Sequence, residues 1–272
     1  MKPSQSLVLL LTMVLMSTSA LSKELMVFSA GAVKSALSAA APAWEARGGM
    51  KLRITYATAG ELRQKLAAGE IADVIIMPLE NFAAAEKSGA TVAASRRDLG
   101  AVGIGVAVKA GAKLPDLSSE DGLKRALLDA KSVTYMDPAR GTSGKHFDEV
   151  VLPKLAIRDA LRAKAVLGEG GAIADRVARG EVEIAFQQLS ELLPVQGISI
   201  AGMLPSSLQK ITVYSGAVMT TALLPTEAAA LLAFLVSGEG RAVFLARGFS
   251  APLSDQVLPV HTHAGHNSSR CK

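Results

Sequence analysis

The sequence predicts an α/β protein of two lobes, each a mostly parallel sheet flanked by helices, with a ligand cleft between them. Three observations predict it. Short apolar runs of the strand type alternate with amphipathic helical runs along nearly the whole chain, the pattern of parallel sheets covered on both faces. The number of such units in 272 residues exceeds what one sheet holds comfortably. Three strand-to-helix loops consist mainly of Gly, Ala, Ser and Thr, and they fall where the crevice of an α/β sheet lies, beyond the carboxyl ends of the strands.

The elements follow in order. Glu24 to Phe28 reads as a strand, and Ser29 to Ala32 turns into a helix with Val33, Leu37, Ala40 and Trp44 on one face. Pro42 lies inside that run and is expected to kink it. Leu52 to Tyr56 is a second strand, after which Ala57 to Gly60 opens a helix carrying Leu62 and Leu66 that stops at Gly69. Asp73 to Met77 is a buried parallel strand, and a helix from Leu79 to Ser88 ends at Gly89. Ala101 to Val108 reads as one strand, and Ser118 or Ser119 can cap a helix bearing Leu123, Ala126 and Leu127. Ser132 to Met136 is a strand that breaks at Asp137-Pro138 into a loop and a helix with Phe147, Val150 and Val151. A short strand at Ala165 to Leu167 precedes a helix from Gly170 to Arg179, with Ile173 and Val177 one turn apart and Gly180 closing it. Val182 to Phe186 is a bare strand, Ile198 and Ile200 mark another, and Ile211 to Met219 a longer one. Glu227 to Ala246 supplies the last helices, interrupted around Ser237-Gly238.

The two ends are of another kind. Residues 1 to 22 combine Lys2, an apolar stretch from Leu7 to Met16 and small residues from Ser17 to Ser22, which reads as a secretory leader cleaved near Ala20 or Ser22. Its apolar run is too short to span a bilayer as a helix. Export to the periplasm is therefore expected, and cleavage lowers the formal net charge of +5 by one, through Lys2. That balance mildly favours anionic ligands. It is not the clustered Lys/Arg with stacking aromatics that nucleic acid requires. Cys271 is the only cysteine, so no internal disulfide can form. Residues 260 to 272 hold His261, His263 and His266 at irregular spacing and read as a disordered polar tail rather than a metal site. No metal and no cofactor is expected.

Three loops carry the candidate site: Ser29, Ala30 and Gly31; Thr58 and Ala59; and Arg140, Gly141, Thr142 and Ser143. Small residues there would offer backbone N–H groups and short hydroxyls, which hold an anion without an ion pair. Arg140 would add bidentate donors for a carboxylate or a tetrahedral oxyanion. Gln187 and Gln188, directly after the bare strand Val182 to Phe186, are a further polar pair, and Tyr214 reads as packing. A phosphate-binding P-loop fails at Ala139 and His146, and Gly141-Thr142-Ser143-Gly144 has the wrong spacing for a nucleophile elbow.

At this point the chain resembles the exported solute-binding proteins of ABC importers, in particular the type II group containing the molybdate-binding proteins. Residues 27 to 49, 56 to 77, 180 to 192 and 231 to 249 carry the resemblance, which covers Glu24 to Pro252. It implies two lobes closing by a hinge, with crossings near Asp98 to Gly103 and Ile211 to Ala217. The first lobe would be 23 to 100 plus 215 to 259, and the second 101 to 214. It also implies a small anionic ligand, a permease partner in the inner membrane and a monomer. By position Ser29 and Thr58 look like the family's hydroxyl ligands, and backbone donors would come from Arg140 to Ser143. Gln187 stands where molybdate binders carry a ligand Tyr, which favours an organic carboxylate. Around residues 187 to 192 and 214 to 217 the chain is also similar to the aconitate isomerases, enzymes on this same fold. That kinship implies a tricarboxylate and a proton-transfer base, for which Lys145 and His146 are the candidates.

Overall fold

The computed structural model describes residues 24–252. The expected leader and the histidine-containing tail with Cys271 lie outside the described residues. The chain begins with β1 (Leu25–Ala30), α1 (Lys34–Ala46), β2 (Leu52–Ala57), α2 (Ala59–Ala67), β3 (Val74–Pro78), α3 (Phe82–Lys87) and β4 (Arg97–Val102). It continues with β5 (Ile104–Lys109), α4 (Glu120–Asp129), β6 (Val133–Met136), α5 (Thr142–His146), α6 (Leu152–Lys154), α7 (Arg158–Arg162) and β7 (Ala165–Gly168). Then come α8 (Asp175–Ala178), β8 (Ile184–Gln188), α9 (Leu189–Leu192), β9 (Ile198–Met203), β10 (Thr212–Val218), α10 (Pro225–Leu235) and α11 (Gly238–Leu245).

Two five-stranded sheets result, in the orders β2-β1-β3-β10-β4 and β7-β6-β8-β5-β9. β1 pairs parallel with β2 and β3, while β10 runs antiparallel to both β3 and β4. The second sheet repeats this plan: β6 is parallel to β7 and β8, and β5 is antiparallel to β8 and β9. Each sheet is thus mixed, with a single strand reversed against the other four. The reversed strands are β5 and β10, the ones by which the chain enters the second sheet and returns to the first.

The first change of sheet explains one departure from the sequence reading. Ala101 to Val108 is not one strand, because Gly103 separates β4 from β5 and sends them into different sheets. A β-carbon on Gly103 would lie 2.6 Å from Met203 Cε and 3.0 Å from Ile211 Cδ1, so a larger residue there would push those two side-chain ends aside. Gln209, on the returning segment, locks the same point. Its Oε1 accepts from Ile104 N–H at 2.8 Å and its Nε2 donates to Ile104 O at 3.0 Å. The outgoing and returning connections are therefore tied to each other.

The apolar faces meet as read. Val33, Leu37, Ala40 and Trp44 are buried together, and α1 runs unbroken through Pro42. Ser119 caps α4, its Oγ accepting from Gly122 N–H at 3.0 Å. The helix expected over Gly170 to Arg179 is shorter: only Asp175–Ala178 is helical, because Gly171 adopts a φ of 70° and the residues before Asp175 form turns. Ile173 and Val177 are buried all the same. β8 is shifted two residues later than expected, so Gln187 and Gln188 are strand residues paired with Gly105 and Ile104 rather than a turn after it. In the second core Phe147 stacks on Phe186 at 4.4 Å and tilts against Tyr135 at 4.9 Å. This fixes the helix that begins at the 141–143 loop.

Candidate ligand cleft

A cavity of about 900 Å³ lies between the two sheets, walled by loops and helix starts from both. The sheets already touch on either side of it. Gly60 N–H donates to Arg140 O at 3.2 Å on one flank. Ser190 Oγ donates to Ala32 O at 2.7 Å, and Ser35 Oγ donates to Ser190 O at 3.1 Å, on the other. A β-carbon on Gly60 would stand 3.3 Å from Ala139 O, so the two loops approach closely at this glycine. The second-sheet wall depends on a closer approach still. A β-carbon on Gly144 would lie 1.7 Å from Met136 O, so only glycine lets the 141–144 turn pack against the end of β6.

The three loops read from the sequence come together, but their residues divide. Ala30, Gly31, Thr58, Ala59, Gly141, Thr142 and Ser143 all line the cavity. Ser29 does not. It is the inward residue of β1, fully buried, and its hydroxyl donates to Ala30 O at 3.2 Å. Thr58 lines the wall with its donors already used, since its N–H and Oγ1 donate to Glu61 Oε2 at 2.8 and 3.0 Å and Oγ1 accepts from Glu61 N–H. This reciprocal cap starts α2. Thr142 and Ser143, by contrast, have no side-chain hydrogen bond among the described residues.

Arg140 is a rim residue. Its guanidinium donates to Glu169 O at 3.0 Å and pairs with Glu61 at 3.5 Å, bridging the two sides beside the cavity rather than within it. Gln187 lies just behind the wall, with no exposed surface, and its Nε2 donates to Gly171 O at 2.7 Å. Lys145 is exposed and lines nothing, and His146 Nε2 is 2.8 Å from Leu208 O, away from the cavity. Neither stands where a proton-transfer base for a bound molecule would.

The residues that sequence reasoning missed face the cavity from α1, β2 and α9. Lys34, Ser35 and Ser38 share the cleft side of α1, opposite its buried stripe. Lys34 Nζ lies 5.7 Å from the centre of the Tyr56 ring, and Tyr56 Oη is 3.1 Å from Ser38 Oγ. Lys34 supplies the positive charge in the wall that Arg140 was expected to supply. Tyr214, almost fully buried and edge-on to Phe249, packs as read but also reaches the cavity.

Glu191 is the chemically distinctive group. It sits on α9, immediately beyond β8, and its Oε1 would be 3.4 Å from a β-carbon on Gly31 across the cleft. Burial pushes its carboxyl up to about 8, the Gln187 amide offsetting part of the rise. Burial, with the charge of Glu191 second, holds the Tyr214 hydroxyl well above its ordinary value. Glu61 is shifted the other way, lowered first by the Thr58 N–H and further by Arg140. The signal for Glu191 in the sequence is an acid five residues past the bare strand Val182 to Phe186, in a chain whose cleft lies at strand ends. Among the described residues no three His, Cys, Asp or Glu side chains gather to hold a metal ion.

Comparison with known proteins agrees with this architecture. The chain is 38% identical over 218 residues to an aconitate isomerase from a Pseudomonas species, covering 78% of this chain and 82% of that protein. Its fold matches the Azotobacter vinelandii periplasmic molybdate-binding protein with a TM-score of 0.72 at 18% identity, covering 84% of this chain and 100% of the other. It matches a sulfate-binding protein of Mycobacterium tuberculosis with a TM-score of 0.68 at 17% identity, covering 84% and 86%. The family model for bacterial extracellular solute-binding proteins matches residues 25–250, and the chain belongs to that family.

Proposed function

We propose that this chain acts outside the cytoplasm, capturing a small organic polycarboxylate between its lobes and isomerising it. The observation that carries the reading is the size of the closed cleft. With the lobes in contact on both flanks, about 900 Å³ is left between them, a volume of the class that encloses organic ligands. A single tetrahedral oxyanion needs a cage of donors closed tightly about it, and here Ser29 and the donors of Thr58 are withdrawn from that role. Lys34 and the unpartnered Thr142 and Ser143 hydroxyls are placed to receive carboxylates instead. The isomerase part is supported by the 38% identity with aconitate isomerase, which makes trans-aconitate the first ligand to try.

A second reading, capture of the same ligand class for delivery to an ABC permease, is favoured by the family itself. It differs only in lacking turnover. Thermal unfolding in the presence of trans-aconitate, citrate, molybdate, tungstate and sulfate tests the common step, since a ligand specific to the native state raises the midpoint by mass action. Stabilisation by the tricarboxylates and none by the inorganic anions is expected. Stabilisation by molybdate or sulfate alone would overturn the reading.

A further inference from the structure

We infer that Glu191 is the residue that carries the proton in the isomerisation, taking it from one end of an allylic system and returning it to the other. The inference rests on the polycarboxylate-isomerase reading of the cleft and assigns a chemical role within it.

Position comes first. Glu191 lies on α9, which is fastened to the opposite lobe by Ser190 and Ser35, so the carboxyl is held on the cavity wall and not on a mobile surface. Its Oε1 faces Gly31, a residue with no side chain, and the space beside it is ligand space. Among the described residues Glu191 makes no ion pair, so no neighbouring cation fixes it in the charged form. Next to it Gln188 also lines the cavity and is 2% exposed, and its Oε1 has no hydrogen-bond donor. This end of the cavity therefore holds a titratable carboxyl and an acceptor that the protein does not satisfy.

The other ionisable groups on the wall do not compete for the task. Lys34 on α1 and Glu169 and Asp175 on the second lobe are exposed. Glu61 on α2 is engaged by Thr58 and Arg140. Tyr56 and Tyr214 are both pushed above the ordinary range for a phenol, chiefly by burial. Glu191 stands near 8, where an acid exchanges its proton readily in both directions close to neutrality.

The step balances without a co-reactant. Charged Glu191 removes a proton from the methylene carbon next to the double bond, and the electron pair of that C–H bond delocalises through the alkene into an adjacent carboxylate. The neutral Glu191 then protonates the far carbon of the same allylic unit, so one C–H bond breaks, one forms and the double bond moves one position. The enzyme ends in the state in which it began.

Glu191→Gln tests the assignment, because the amide keeps the size and a hydrogen-bond donor but cannot carry the proton. Conversion of trans-aconitate, followed by ultraviolet absorbance, should fall by roughly 10²–10⁴-fold. Calorimetric binding of trans-aconitate should stay within a few-fold, and Glu191→Asp should recover part of the rate. In the wild type kcat/KM should rise with pH and level off above about 8, as the base form fills. Full activity in Glu191→Gln would overturn the assignment and leave the isomerase reading standing. Binding without conversion in the wild type would remove the isomerase reading and this role with it.

Discussion

Asp73 and Glu191 are both acids beside the end of a buried strand, and the chain uses them in opposite ways. Asp73 precedes β3, is 2% exposed and is enclosed by donors: Met26 N–H at 2.8 Å, Leu223 N–H at 2.8 Å and Leu224 N–H at 2.9 Å. Those bonds join β1, β3 and the segment leading into α10. Glu191 follows β8, faces an open cavity and has no such set of fixed donors. Three backbone partners make a carboxylate part of the scaffold, whereas burial without them leaves it free to exchange a proton. The difference lies in what the neighbouring backbone offers, not in residue type.

Substitutions should separate the two roles. Asp73→Ala removes the acceptor of three part-buried N–H groups and should destabilise the fold by about 3 kcal/mol, read as a shift in the denaturant midpoint with unchanged slope. A midpoint within experimental error of wild type would show that Asp73 is not structural. Lys34→Ala should weaken trans-aconitate binding by about 1.5–3 kcal/mol, as for a lost bond to a charged group, with stability nearly unchanged. Equal affinity would take Lys34 out of the site.

The hydroxyls offer the same contrast on a smaller scale. Thr58→Ala should cost about 1 kcal/mol of stability by removing a cap and leave affinity almost untouched. Ser143→Ala should do the reverse, lowering affinity by about 1 kcal/mol. The last contrast concerns pH. Because the folded pKa of Glu191 is raised from 4.5 to about 8, the native state holds a proton that the unfolded chain has released. Its contribution to stability is complete below pH 4.5 and is lost as pH rises to about 8. Wild type should therefore lose melting temperature relative to Glu191→Gln as pH rises from about 5 to 9, the gap widening through that window. Parallel curves would mean that burial does not hold the proton there.

Much of the architecture was legible because strand and helix periods alternate cleanly: α1's buried stripe, the Ser119 cap and the glycine stops at Gly69, Gly89 and Gly180 all appear where composition puts them. The split at Gly103 was not, since Ala101 to Val108 is apolar on both sides of the turn and only long-range pairing tells two strands from one. The small-residue loops were legible as a site because their positions follow from strand polarity. Which atoms in them face the ligand was not. Ser29 and Thr58 look alike as hydroxyls after strands, yet one points into a sheet and the other is consumed by a cap. Lys34 and Glu191 sit on helices just past the loops, and whether a helical residue faces core or cleft depends on a rotation of one position in the chain.

The central claim is that the cleft turns over an organic polycarboxylate, and proton magnetic resonance of trans-aconitate incubated with the intact protein tests it most directly. The account predicts the progressive appearance of cis-aconitate at a rate proportional to protein concentration. A spectrum that stays that of trans-aconitate, under conditions where the ligand measurably stabilises the fold, would contradict it.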